Sequence, residues 1–276
     1  MLQAQILDAD FYPIIVDTHP AVKSRGRHTA IKGCSSSQSM AVAGSHRKLF
    51  LLAAVVALCA VLLTLLAVRV SAWIDRRHEA ELLALVNPWN SVEYAGFEPR
   101  LTDIGDGKQV DERCAEALRQ MLADCTAAGN APYICSAYRT YEEQELLYQN
   151  KVQCLITTGL SEKEAVSLSA LEVARPGTSE HELGLALDIV DKNHQALDQS
   201  QEKMATQRWL MENSWQYGFI LRYPNGTTGI TGYIYEPWHY RYVGQTAAEQ
   251  IWQLGITLEQ YLTMFYSEEA VVVFEN

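Results

Sequence analysis

Ser179-Glu180-His181-Glu182-Leu183-Gly184-Leu185-Ala186-Leu187-Asp188 is the stretch on which the reading of this chain turns, together with Glu236-Pro237-Trp238-His239-Tyr240-Arg241-Tyr242 further along. In the first, a polar lead containing His181 runs into the apolar segment Leu185 to Val190, which has the length and composition of a strand. Asp188 lies toward the strand's other end, and Gly184 allows a bend that brings both side chains to one point. The second stretch falls in a strand candidate from Tyr233 to Val243 and contributes His239. Two histidines and a carboxylate complete a three-ligand catalytic zinc site whose fourth position stays open. Glu236, three residues before His239, stands near the ion without being needed as a ligand. A carboxylate there can serve as general base toward a water acidified by the ion. Singly, each residue has a plainer role: a lone histidine is usually a core or surface residue, and His78 and His194 are left with that role. The joint pattern carries the metal reading.

Working outward, Asp111 caps a helix to Ala128 whose apolar stripe is Cys114, Leu118, Met121, Leu122 and Cys125, ended by Gly129. Pro132 to Tyr138 reads as a short strand. Thr140 with Glu143, and Ser161 with Glu164, are capping boxes that open helices running toward Gly159 and Pro176-Gly177. A helix around Thr206 to Tyr217, a strand at Phe219 to Tyr223, a turn at Asn225-Gly226 and two C-terminal helices, the last opened by Thr257, complete the series. Helices and strands without regular βαβ alternation predict an α+β domain with a small, mainly antiparallel sheet flanked by helices.

The 276 residues are 48% hydrophobic with a formal charge of -11, enough for one sizeable core plus an appendage. Residues 1–48 hold six Lys/Arg against three acids, leaving 16 basic and 30 acidic residues beyond. So acidic a body argues against nucleic acid, which needs clustered cations to displace counterions. Leu49 to Val68 is twenty residues without a charge, the length of a helix across a hydrocarbon core of about 30 Å. Arg47 and Lys48 directly before it put the N-terminus inside and the rest outside. Val70-Ser71-Ala72 would suit cleavage of a signal peptide, but the apolar run exceeds the usual length and Arg69 intrudes. The expected layout is a cytoplasmic, disordered tail at 1–48, a transmembrane anchor at 49–70, a charged stalk at 71–92 broken by Asn87-Pro88-Trp89-Asn90, and a catalytic domain at 93–276. Met40 is an alternative start, giving a short basic segment before the span.

Four cysteines, Cys114, Cys125, Cys135 and Cys154, fall in the outer domain. On one helix, Cys114 and Cys125 stand about 16 Å apart, too far for a disulfide. Two full pairings remain, Cys114–Cys154 with Cys125–Cys135 or Cys114–Cys135 with Cys125–Cys154, beside the alternative that all are free thiols acting as small apolar residues.

Ser179-x-His181-x-x-Gly184-x-Ala186-x-Asp188, followed by Glu236 to Tyr242 and preceded by Ser136-Ala137-Tyr138-Arg139-Thr140 with Gln144, resembles the signature of VanY-type D-alanyl-D-alanine carboxypeptidases. Their fold is shared with Hedgehog signalling domains. The resemblance covers roughly Asn87 to Leu262, though Trp89-Asn90-Ser91-Val92 stands where a Leu-Pro pair is expected. It implies His181, Asp188 and His239 as Zn2+ ligands, Glu236 as catalytic base and Arg139 facing the scissile bond as oxyanion stabiliser. Ser136, Gln144 and Ser179 become candidate contacts to the peptide backbone or its terminal carboxylate, and Trp238 a candidate pocket wall. The implied activity is removal of the terminal D-alanine from peptidoglycan stem peptides, and an anchored enzyme acting on an immobile polymer is expected to be a monomer. L,D-carboxypeptidase activity on tetrapeptide stems and a non-catalytic wall-binding module are the alternatives. Loss of Glu236 or Arg139 would favour the module, and both are present.

Overall fold

Leu185, Ala186, Leu187, Ile189 and Val190 are all buried, and a strand buried on both faces belongs in the interior of a sheet. That is where the structure, a computed structural model that describes residues 38–96 and 98–266, has it. The chain runs α1 (Gln38–Leu82), β1 (Leu101–Gly105), β2 (Lys108–Asp111), α2 (Glu112–Ala127), β3 (Pro132–Ser136), α3 (Tyr141–Thr157), α4 (Glu162–Glu172), β4 (Ala186–Asp191), α5 (Ala205–Asn213), β5 (Phe219–Leu221), α6 (Thr228–Thr231), β6 (His239–Tyr242), α7 (Gln245–Leu254) and α8 (Leu258–Phe265). It forms a four-stranded sheet of order β3-β4-β6-β5, antiparallel at every step, and a separate β1-β2 hairpin. This is the expected α+β class.

The chain divides into two units, Met1–Leu63 and Thr64–Asn276. The described part of the first belongs to α1, so residues 38–48 of the expected tail are helical. Residues 1–37, with Cys34, lie outside the described residues. Leu51–Leu82 is, among the described residues, the one helix long and apolar enough to cross a membrane. In the second unit the packed body begins before the expected boundary at Glu93. Leu83, Ala84 and Val86 are buried in its core. The Asn87 Oδ1 accepts from the backbone N–H groups of Trp89 and Asn90 at 3.0 and 3.1 Å, so the helix-breaking segment is also anchored.

Period two sorts β4: Leu185, Leu187 and Ile189 join Leu118, Met121 and Cys125 of α2 and Tyr240 of β6 in the main core, leaving Asp188 on the opposite face. Helix capping follows the sequence. Asp111 caps α2, and Thr140, Ser161 and Thr257 form capping boxes with Glu143, Glu164 and Gln260. The β1-β2 hairpin had no counterpart in the sequence reading. Its turn at Asp106-Gly107 has both residues at positive φ (53° and 69°), the conformation a two-residue hairpin turn requires. The strand expected over Tyr233 to Val243 is confined to His239–Tyr242, because Pro237 has no N–H to give a ladder. Cys114, Cys125, Cys135 and Cys154 are all free, so neither disulfide pairing forms; Cys114 and Cys125 are buried as small apolar residues, while Cys135 is half-buried and Cys154 exposed.

Gly184 ends the 3-10 helix Glu180–Leu183 at φ 67°, and a Cβ there would lie 2.9 Å from the Asp111 backbone nitrogen. Left-handed backbone costs a non-glycine residue about 1–3 kcal/mol before any clash. Gly184→Ala is therefore expected to lower unfolding free energy in urea by at least about 2 kcal/mol; a change below about 0.5 kcal/mol would contradict the packing described.

Candidate active site

Register aligns three residues across the sheet. Ser136 pairs with Asp188, and Asp188 pairs with His239, so three adjacent strands present them side by side. His181 arrives from the neighbouring 3-10 helix. Ser179 caps that helix, its Oγ accepting from the His181 N–H at 3.4 Å while the Glu182 carboxylate accepts from the Ser179 N–H at 3.1 Å. The positive φ of Gly184 then returns the chain into β4.

His181, Asp188 and His239 are buried and offer donor atoms that all lie within 4.8 Å of one another. The Nδ1 of His181 is 2.7 Å from the Ala137 carbonyl. A carbonyl only accepts, so the proton sits on Nδ1 and Nε2 is a bare lone pair. That Nε2 is buried without a hydrogen-bond partner, 3.4 Å from Asp188 Oδ2. His239 is held the opposite way. Its Nε2 faces Glu180 Oε2 at 3.4 Å, and its Nδ1 lies 3.3 Å from Asp188 Oδ1 and 3.6 Å from Glu236 Oε2. Buried polar atoms are rarely left unpartnered. An orphaned imidazole nitrogen aimed at a carboxylate and a second imidazole has the donor set of a catalytic Zn2+ site, and these residues fit that ion.

The two imidazoles differ electrostatically. Burial, reinforced by the Arg139 guanidinium, pushes the His181 pKa down to about 4. Burial also disfavours charge on His239, but hydrogen bonds to Asp188 and Glu180 outweigh it and raise that pKa to about 9. Asp188 is opposed by burial yet held well below the usual carboxylate range by the two histidines.

Arg139 is gripped at three points. Its Nε donates to Ser136 Oγ at 3.0 Å, Nη1 to Gln144 Oε1 at 2.5 Å and Nη2 to Asp188 Oδ2 at 3.3 Å. Gln144 is fully buried and gives its Nε2 hydrogen to the Ala174 carbonyl at 2.7 Å. Ser136 and Gln144, expected as contacts to a ligand, thus spend these groups on Arg139. Ser179 and Trp238 line a cavity of about 380 Å³ together with Arg139, His181, Asp188, His239 and Glu236. Two participants escaped the sequence reading. Glu180 stood within the quoted stretch without a role, and its signal was an acid next to a candidate ligand. Tyr223, whose ring lies 4.7 Å from that of His239, carried no local signal.

Burial raises the Glu236 pKa; His239 and Arg139 pull it down, Asp188 and Glu172 push it up, and it settles at about 8 against an ordinary 4.5. The folded, metal-free protein therefore keeps a proton that the unfolded chain releases near 4.5. Stability from this group is present at acid pH and is lost as pH rises through 8. Metal-free Glu236→Gln is accordingly expected to melt above the parent at pH 8.5, with the gap closing by pH 5. Equal or lower melting at pH 8.5 would contradict this account.

Residues 107–245 match the family model described as VanY: D-alanyl-D-alanine carboxypeptidase. A D-alanyl-D-alanine carboxypeptidase of Enterococcus faecalis is 40% identical over 181 residues, 65% of this chain and 65% of that protein, so the match spans just under two thirds of the relative's length. A D,D-pentapeptidase VanY mutant from a VanB-type vancomycin resistance cassette, solved in complex with Zn(II), is 39% identical with a TM-score of 0.60, covering 66% of this chain and 99% of that one. The LdcB LD-carboxypeptidase is 34% identical with a TM-score of 0.57, covering 67% and 87%. With the fold shared and the family model spanning the sheet and all of the residues just described, the chain belongs to the VanY D-alanyl-D-alanine carboxypeptidase family.

Proposed function

We propose that this chain is a zinc-dependent D,D-carboxypeptidase that removes the terminal D-alanine from peptidoglycan stem peptides. The observation that carries the reading is the bare, buried Nε2 of His181 converging with Asp188 and His239 on a cavity that Glu236 also lines. The family membership and the Zn(II)-bound relative support it. His181 through Nε2, Asp188 through its carboxylate and His239 through Nδ1 would hold Zn2+. When bound, the ion supplies a Lewis acid that acidifies water and polarises the scissile carbonyl.

Glu236 takes the proton of the attacking water onto its carboxylate and returns it to the departing amine nitrogen, as the new C–O bond forms and the peptide C–N bond breaks. Its pKa of about 8 in the metal-free pocket falls when a divalent charge is bound beside it, leaving an ionised base at neutral pH. Arg139 offers its guanidinium to the carbonyl oxygen as negative charge develops there, pre-aimed by Ser136 and Gln144. Ser179 and Trp238 wall the pocket.

The apolar part of α1, preceded by Arg47 and Lys48, anchors the enzyme in the cell membrane with its body extracytoplasmic; release after cleavage near Ala72 is the alternative. Substrate is reached as a monomer, and the acidic body has no nucleic-acid partner. A second reading, L,D-carboxypeptidase activity on tetrapeptide stems, draws on the likeness to LdcB.

The test is D-alanine release from synthetic pentapeptide and tetrapeptide stems by the full chain in detergent, with Zn2+, with chelator and with Glu236→Ala. Zinc-dependent release from the pentapeptide, reduced at least ~100-fold in the variant, is expected. Preference for the tetrapeptide would favour the L,D reading, and no release from either by the zinc-loaded protein would leave a wall-binding module.

A further inference from the structure

Glu180 sits between Ser179 and His181 with its side chain fully buried (0% exposed), as are Arg222 and Arg241. Its Oε1 accepts from Arg222 Nε at 2.7 Å and lies 3.1 Å from Arg241 Nη1, while its Oε2 faces His239 Nε2 at 3.4 Å. Each arginine is tied down in turn. Arg222 donates through Nη1 and Nη2 to Glu259 of α8 at 2.9 and 2.7 Å. Arg241 Nη2 donates to the Leu82 and Ala84 carbonyls at 2.9 and 3.1 Å.

We infer that Glu180 is a positioning residue for the metal centre: its carboxylate accepts a hydrogen bond from the Nε2–H of His239, fixing the tautomer and ring orientation that present Nδ1 to the ion. An ionised carboxylate can only accept, so the proton between the two groups belongs to Nε2. Two glutamates and two arginines balance one another, so the cluster as a whole carries no net charge beside His239. His181 is held by a backbone carbonyl, His239 by a carboxylate, and a carboxylate partner makes the ligand the more basic of the two. Arg222 and Arg241 hold Glu180 in this orientation. The inference rests on reading His239 as a metal ligand.

The experiment measures Zn2+ affinity by chelator competition and the visible spectrum of the Co2+ form, on the full chain in detergent. Glu180→Gln keeps an acceptor without the charge. Glu180→Asp keeps the charge beside the arginines but withdraws it from His239 by one methylene, so it tests the role should the first variant fail to fold. Each is expected to weaken Zn2+ binding about 10- to 100-fold and shift the Co2+ bands. Parental affinity and spectrum in the Glu180 variants, with binding lost in His239→Ala, would overturn the positioning role alone. Parental binding in His239→Ala would overturn the ligand reading beneath it.

Discussion

The register that sets Asp188 opposite His239 on one side and Ser136 on the other is the constraint on which the site depends. Side chains alternate along a strand, so a slip of one residue would turn Asp188 into the apolar core and bring Leu187 to the site. The core opposes that slip. Leu185, Leu187 and Ile189 pack with Tyr240 and the buried stripe of α2 on the other face, and exposing them would cost roughly 1.5–3 kcal/mol per side chain. Hydrophobic burial thus fixes the register, and the register assembles the donors.

Electrostatics finishes what the sheet begins. Glu180, Arg222 and Arg241 are fully buried ions, and such groups persist only when partners satisfy them. Here each arginine has a carboxylate or a carbonyl to meet, and the cluster joins β6, α8 and the residue after β5 to the end of α1 and the segment following it. The other half of the site runs against stability. The unpartnered His181 Nε2 and the burial-raised Glu236 are costs that the metal-free fold carries. A bound cation would relieve both, giving the lone pair a partner and Glu236 a compensating charge.

Much of this was legible in the residues. The capping boxes at Thr140, Ser161 and Thr257 are local chemistry, and local chemistry survives into the structure. His181, Asp188 and His239 could be grouped because Gly184 and a short strand limit how far apart two of them can fall. What escaped was non-local or depended on one backbone angle. Arg222 and Arg241 look like solvated strand residues until the fold buries them against Glu180. Ser136 and Gln144 look like free polar groups until Arg139 occupies them. Pro237 shortened the expected strand, and Asp106-Gly107 made a hairpin where no element was expected. Which nitrogen each histidine presents depends on the Ala137 carbonyl and Glu180, contacts no spacing rule reveals.

Zinc K-edge X-ray absorption on the full chain tests the central claim most directly. A shell of nitrogen and oxygen at about 2.0–2.1 Å, with scattering from two imidazoles and no sulfur at about 2.3 Å, is expected. One imidazole should disappear in each of His181→Ala and His239→Ala. Sulfur in the shell, or two imidazoles persisting in either variant, would contradict the metal centre built here from His181, Asp188 and His239.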